Sequence, residues 1–240
     1  MAIQTRSIEY EDGGALLEGA LAWDDAMAGP RPGVLVAHAW RGRSEFEDAK
    51  ARSLAEVGYA GFGMDLYGKG VRGGSIEQNR ALMQPFMEDR ALLQRRMRVA
   101  WDCLQSQEEV DPSRTAAIGF CFGGLCVLDL ARTGVDVRGV ASFHGLLQPP
   151  GDTKDDIIRA KVLVLHGWDD PMAKPEELTA LARELTIRHA DWQIHAFGHT
   201  MHAFTNPQAN DPGFGTVFQP DADRRSWQLV QTFLAEVLAL

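Results

Sequence analysis

Cys121 lies in the run Ala116-Ala117-Ile118-Gly119-Phe120-Cys121-Phe122-Gly123-Gly124, an apolar stretch that ends in a Gly-x-Cys-x-Gly turn before a helix-like segment. A thiol attacks as its thiolate, and a free cysteine, with a pKa of about 8.5, is only a few per cent ionised near neutrality. A strand that turns sharply through the nucleophile into a helix helps, because it presents the sulfur at the positive end of the helix dipole. Gly119 and Gly123 suit such a turn, since side chains there would crowd the strand-to-helix crossing. A thiol that attacks a carbonyl also needs a base, and the base needs a third group to fix its tautomer and steady its cation. The chain supplies both in order: Gly167-Trp168-Asp169-Asp170-Pro171, then Gly198-His199-Thr200-Met201-His202-Ala203-Phe204. Either aspartate can serve as the acid. Asp170 is preferred because it sits deeper in the turn beside Pro171, with Asp169 reading as a solvated or capping residue. His202, directly before Ala203-Phe204, is preferred as the base, with His199 the second candidate.

The elements that must position these groups follow from the hydrophobic pattern. Residues 7–23 read as an antiparallel hairpin around the Asp12-Gly13-Gly14 turn signal. Near-continuous apolar runs predict strands over 33–39, 59–66, 115–120, 137–143, 161–166 and 192–197. Helical spacing covers 45–57 and a long region 75–107 interrupted or bent at Pro85, with further helices after Cys121, after Pro175 and across 223–239. Apolar strands alternating with helices indicate an α/β fold: a mostly parallel sheet covered on both faces, in one domain over residues 1–240. Ligands in such sheets bind beyond the carboxyl ends of the strands. Trp40, Cys121, His144, Asp170 and His202 all fall there or in the loop that follows.

These residues resemble the dienelactone hydrolase (carboxymethylenebutenolidase-like) family of α/β-hydrolases. The resemblance runs through His38-Ala39-Trp40-Arg41-Gly42, Asp65-Leu66-Tyr67-Gly68-Lys69-Gly70, the turn around Cys121, His166-Gly167-Trp168-Asp169-Asp170-Pro171, and His202-Ala203-Phe204-Thr205-Asn206-Pro207 leading to Arg225-Ser226-Trp227. It implies an α/β-hydrolase fold, Cys121 as nucleophile, His202 as base and Asp170 as its orienting acid, with lactones or esters as substrates. In this fold the oxyanion donors are the backbone N–H of the residue after the nucleophile, Phe122, and one from the loop after the third strand, by position Trp40. Two positions depart from the family pattern. Ala39 stands where members commonly carry a Glu that helps switch the thiol to thiolate, and Asn206 stands where some dienelactone-specific members use Arg to hold the substrate carboxylate.

Trp40, Trp168, Phe122 and Phe204 flank the catalytic positions and predict an aromatic, apolar entrance. Trp168, Phe204 and His144 are candidate substrate contacts. Arg41 is a candidate partner for a substrate carboxylate, by bidentate hydrogen bonding. The loops 67–80 and 146–158 are expected to shape the pocket. Cys126 reads as core on an apolar helix face, and Cys103 as structural.

Composition narrows the remaining choices. In 240 residues with 45% hydrophobic content, a sizeable core can form. A net charge of −9 argues against nucleic acid or an anionic membrane as the partner. The N-terminus lacks the basic-then-apolar pattern of a secretory signal, and three cysteines without metal spacing suit a reducing compartment, so the expected location is the cytoplasm. No metal or cofactor is expected. The expected function is a cofactor-independent ester or lactone hydrolase working through a thioester. The competing readings are a non-catalytic ligand-binding or sensory protein on the same fold, and a hydrolase of thioesters or amides.

Overall fold

The structure is a computed structural model that describes residues 2–151 and 156–239. Of the loop expected at 146–158, residues 152–155 lie outside the described residues. The chain divides into two compact units, Met1–Ile118 and Gly119–Leu240.

The first unit begins with the predicted hairpin, β1 (Ile3–Asp12) and β2 (Ala15–Asp24), paired antiparallel in the register Asp12↔Ala15 to Ile3↔Asp24. Gly13 and Gly14 both have positive φ, the condition a two-residue hairpin turn imposes. Next come β3 (Arg31–Ala37), α1 (Glu45–Ala55), β4 (Ala60–Gly63), α2 (Ile76–Glu88), α3 (Arg90–Gln105) and β5 (Val110–Phe120), which crosses the unit boundary. The strands lie in the order β1-β2-β4-β3-β5. β3 and β4 are parallel, and β2 meets β4 antiparallel, so the hairpin forms the antiparallel margin of a mostly parallel sheet. Ser44 starts α1 with a capping box, its side chain accepting from Phe46 N–H while Glu47 Oε2 accepts from Ser44 N–H at 2.8 Å.

Two expectations in this unit are corrected. Strand β4 stops at Gly63 rather than at 66, because the Asp65 carboxylate takes the N–H groups of Tyr67 (2.9 Å) and Gly68 (3.1 Å) and turns the chain. Pro85 lies inside α2 and the break falls at Asp89. Pro85 is on the exposed face of the helix, where a missing donor is tolerated. Asp89 ends one helix by giving its N–H to Pro85 O and starts the next by accepting from Leu92 N–H.

The second unit carries α4 (Phe122–Arg132), β6 (Gly139–Phe143), β7 (Lys161–Gly167), α5 (Pro175–Ile187), β8 (Trp192–Phe197), the short pair β9 (Asn210–Asp211) and β10 (Thr216–Val217), and α6 (Pro220–Leu238). Strands β6, β7 and β8 are parallel neighbours. The side chains of β6 and those of Val162, Leu163, Val164 and Leu165 in β7, with Phe120, Phe122, Leu125, Val127, Val230 and Leu234, are buried as the core, while β8 is half-buried to exposed. Helices α4 and α5 are also joined by charge. Arg132 donates to Asp129 Oδ1 at 3.0 Å and to both carboxylate oxygens of Glu184, and its third contact, Leu147 O, ties down the start of the following loop. Arg188 extends the network to Glu184, Asp156 O and Arg132 O.

Among the described residues no helix is long and apolar enough to cross a membrane. Because Asp129 and Arg132 are both buried, removing one charge costs more than a surface pair would. Arg132→Met, which deprives Asp129 of its arginine, is expected to destabilise the fold by about 3 kcal/mol, lowering the melting temperature by roughly 6–12 °C in a calorimetric scan.

Candidate active site

Cys121 occupies the bend between β5 and α4 with φ 56 and ψ −117, a conformation that a non-glycine residue holds only when its surroundings enforce it. The enforcement is visible around it. Cys121 N–H donates to Phe143 O at 3.0 Å, and Gly124 N–H closes the first turn onto Cys121 O at 2.9 Å. A Cβ on Gly119 would sit 2.0 Å from Gly123 O, so the strand and the helix start approach too closely for any side chain. Cys121 is half-buried at the start of α4, and Phe122, next to it, is fully buried.

Asp170 follows β7. Its Oδ1 accepts from Met172 N–H at 2.8 Å, and its Oδ2 accepts from His202 Nδ1 at 2.7 Å. Both side chains are almost wholly buried. The loop that carries His202 lies directly on the end of β7: Asp169 N–H donates to Thr200 O, and a Cβ on Gly167 would meet that same oxygen at 2.4 Å. The other aspartate and histidine of the sequence reading also face each other, but at the surface, with Asp169 Oδ2 3.9 Å from Nδ1 of a fully exposed His199.

The β9–β10 pair had no counterpart in the sequence reading, yet it holds His202 from the other side. His202 N–H donates to Gly215 O, and Val217 N–H donates to His202 O. Gly215 has φ +84, and an added Cβ would strike Pro171 Cγ at 2.1 Å, so the turn of this small hairpin presses on the residue after Asp170. The turn residues Asp211-Pro212-Gly213 were the available signal. Strands of two residues are too short to show a period.

Electrostatically, burial works against a charged His202, and the Cys121 sulfur and the Asp170 carboxylate overcome it. The imidazole is raised to about 10. With Nδ1–H given to Asp170, Nε2 is the atom left to work; it is buried and makes no hydrogen bond of good geometry among the described residues. His166, four residues before Asp170 and fully buried with Nε2–H donated to Ala173 O at 2.8 Å, is held below the ordinary histidine value by burial.

The candidate substrate contacts separate. Trp168 is half exposed. Phe204 is fully buried, edge-on to His144 and Phe197, where it packs instead of facing a ligand. His144 is buried too, with both ring nitrogens engaged within the protein. In the first unit, Trp40 is half-buried, with its carbonyl accepting from Tyr67 OH at 2.9 Å, and Arg41 is exposed. Beside Ala39, whose N–H reaches Glu47 Oε1 at 3.4 Å, lies a buried carboxylate eight residues along the chain.

Known proteins similar to this chain point to one family. The dienelactone hydrolase family model matches residues 17–238. An uncharacterized protein of Caenorhabditis elegans is 36% identical over 153 residues, covering 61% of this chain and 95% of its own length. A putative carboxymethylenebutenolidase of Yersinia pestis is 26% identical over 201 residues, covering 78% of this chain and 74% of that protein. Among solved structures, m3DLH superposes with a TM-score of 0.95 at 38% identity, covering 99% of this chain and 100% of that one. A dienelactone hydrolase-like promiscuous phosphotriesterase from metagenomic libraries superposes with a TM-score of 0.94 at 36% identity, covering 99% of each chain. A turn that strains a cysteine at the start of a helix, a buried histidine–aspartate pair and a family match across both units lead to one conclusion: this chain belongs to the dienelactone hydrolase family of α/β-hydrolases.

Proposed function

We propose that this hydrolase opens a lactone or cleaves a carboxylic ester through Cys121, His202 and Asp170, by way of a thioester. The observation that carries the reading is the 2.7 Å bond from His202 Nδ1 to Asp170 Oδ2, which leaves Nε2 for the nucleophile. In the first half-reaction the Cys121 thiolate adds to the carbonyl carbon, and the carbon–oxygen bond to the leaving group breaks. The His202 imidazolium gives its Nε2 proton to the departing oxygen, which in a lactone stays tethered to the acyl chain. In this reading the backbone N–H of Phe122, at the first turn of α4, stabilises the oxyanion.

The second half-reaction needs His202 neutral, and the first one produces that state. Once sulfur is acylated it carries no charge, so one of the two anions that hold the imidazolium is gone. Neutral His202 then takes a proton from water, hydroxide adds to the thioester, and the thiolate leaves as the carboxylic acid product forms. The cysteine's own charge thus switches the histidine between acid and base.

Replacing Cys121 by Ala is expected to reduce turnover of p-nitrophenyl acetate by at least about three orders of magnitude. Intact-protein mass spectrometry of the unmutated protein, quenched in acid, should show an added acetyl group that is absent from the variant; unchanged turnover in Cys121→Ala would reject the nucleophile. Phosphotriester turnover, tested on the same pair of proteins, follows from the likeness to the promiscuous phosphotriesterase and should depend on the same sulfur.

The histidine's position also sets a pH dependence. Its folded value of about 10 lies above the ordinary value of about 6.5, so its contribution to stability is complete below about 6.5 and is lost as pH rises through about 10. The value of kcat/KM for the ester should accordingly fall on the alkaline side near pH 10, as the imidazolium loses the proton it gives to the leaving group. Asp170→Asn removes an anion that supports the cation, so that limb should shift to lower pH and the rate should drop by on the order of 10⁴. An alkaline limb that stays in place in Asp170→Asn would argue against the assignment.

A further inference from the structure

His144 stands at the end of β6 with φ 38, another left-handed non-glycine residue, and is buried. Its backbone N–H is fixed to Leu165 O at 2.8 Å. Its ring joins two pieces of the site. Nδ1 lies 3.1 Å from the backbone nitrogen of Cys121, and Nε2 lies 2.8 Å from Thr205 Oγ1, three residues beyond His202 in the same loop. The ring also meets His202 edge-on, with centroids 5.1 Å apart at 64°, and packs against Phe204 at 5.1 Å.

The partners decide the protonation pattern. A backbone N–H can only donate, so Nδ1 must offer its lone pair, and a neutral imidazole then carries its proton on Nε2. The hydrogen-bond relay therefore runs from Cys121 N–H to Nδ1, and from Nε2–H to Thr205 Oγ1. Cys121 N–H already reaches Phe143 O at 3.0 Å, so the bend is gripped by two acceptors, and the ring adds a direct link from that bend to the loop of His202. A phenyl ring could fill the same space but could accept nothing from Cys121.

We propose that His144 is a positioning residue: as a neutral, Nε2-protonated imidazole it sets the spacing between the nucleophile bend at Cys121 and the base loop at His202, and it does not bind substrate. This inference rests on the reading of Cys121 and His202 given above. Misplacing reacting groups by an ångström can cost about a hundredfold in rate, so a strut between them should act on kcat and not on KM.

Three substitutions separate the contacts. His144→Phe keeps the ring and loses both hydrogen bonds. His144→Asn keeps an acceptor near Nδ1, and His144→Gln keeps a polar group near Nε2. Each is assayed for kcat and KM on p-nitrophenyl acetate, for the rate of Cys121 alkylation by iodoacetamide at neutral pH, and for melting temperature. His144→Phe is expected to lower kcat by about 10- to 100-fold with KM within about twofold, and to change the alkylation rate, while His144→Asn recovers more of kcat than His144→Gln. Thr205→Val, which removes the acceptor of Nε2–H, should lower kcat in the same sense and serves if His144→Phe does not fold. ¹⁵N spectra of the unmutated protein should show the His144 proton on Nε2. A raised KM with unchanged kcat, no difference among the three variants, or a proton on Nδ1 would overturn the proposal. If the unmutated protein hydrolyses no ester yet its alkylation rate still depends on His144, the strut stands and the hydrolase reading falls.

Discussion

A single buried hydrogen bond, His202 Nδ1–H to Asp170 Oδ2, organises the second unit. A carboxylate and an imidazolium taken out of water together are tolerable only when each meets a well-placed partner. Asp170 therefore uses its second oxygen on Met172 N–H, and the loop of His202 is laced to β7 on one side and to β9–β10 on the other. Without that lacing the pair would be two desolvated groups with a poor bond between them. With it, the ring has one nitrogen fixed and the other available for proton transfer.

The same unit is built on backbone approaches that leave no room for side chains. Gly119 against Gly123, Gly124 against Ser142 and Gly145, Gly167 against Thr200, and Gly215 against Pro171 are the four places where segments of the site touch most closely. Each joins an element bearing a reactive group to its support. Three of the residues joined in this way, Cys121, His144 and Ala203, hold positive φ without being glycine, as do His189, His199 and Ala239 elsewhere in the unit. The fold holds the thiol by compressing backbone around it.

Much of this was legible in the chain, for identifiable reasons. Strands buried on both faces read as unbroken apolar runs, so the runs at 33–39 and 115–120 point to β3 and β5, although both strands begin earlier in the structure and β3 ends at Ala37. The turn at Cys121 is legible because two glycines bracket one cysteine at the junction of a strand and a helix. Proline is the stronger general signal and points to a break at Pro85, whereas the cap at Asp89 sets the break between α2 and α3, with Pro85 accommodated on an exposed face. Nearness to His202 in the chain suggests Phe204 as a pocket residue, and a place just after a strand suggests His144. Burial cannot be read from such nearness, and both rings turn inward.

The sequence by itself determined the α/β class, the family, and the order Cys121, Asp170, His202, because apolar period, glycine spacing and residue type are local properties. Only the tertiary structure decided which aspartate meets which histidine, since Asp169 and Asp170 are neighbours in the chain and point to opposite environments. It also decided that the β9–β10 hairpin holds His202 and that His144 links the thiol's bend to Thr205. Those contacts join residues tens of positions apart, and their geometry exists only when packing has brought the loops together.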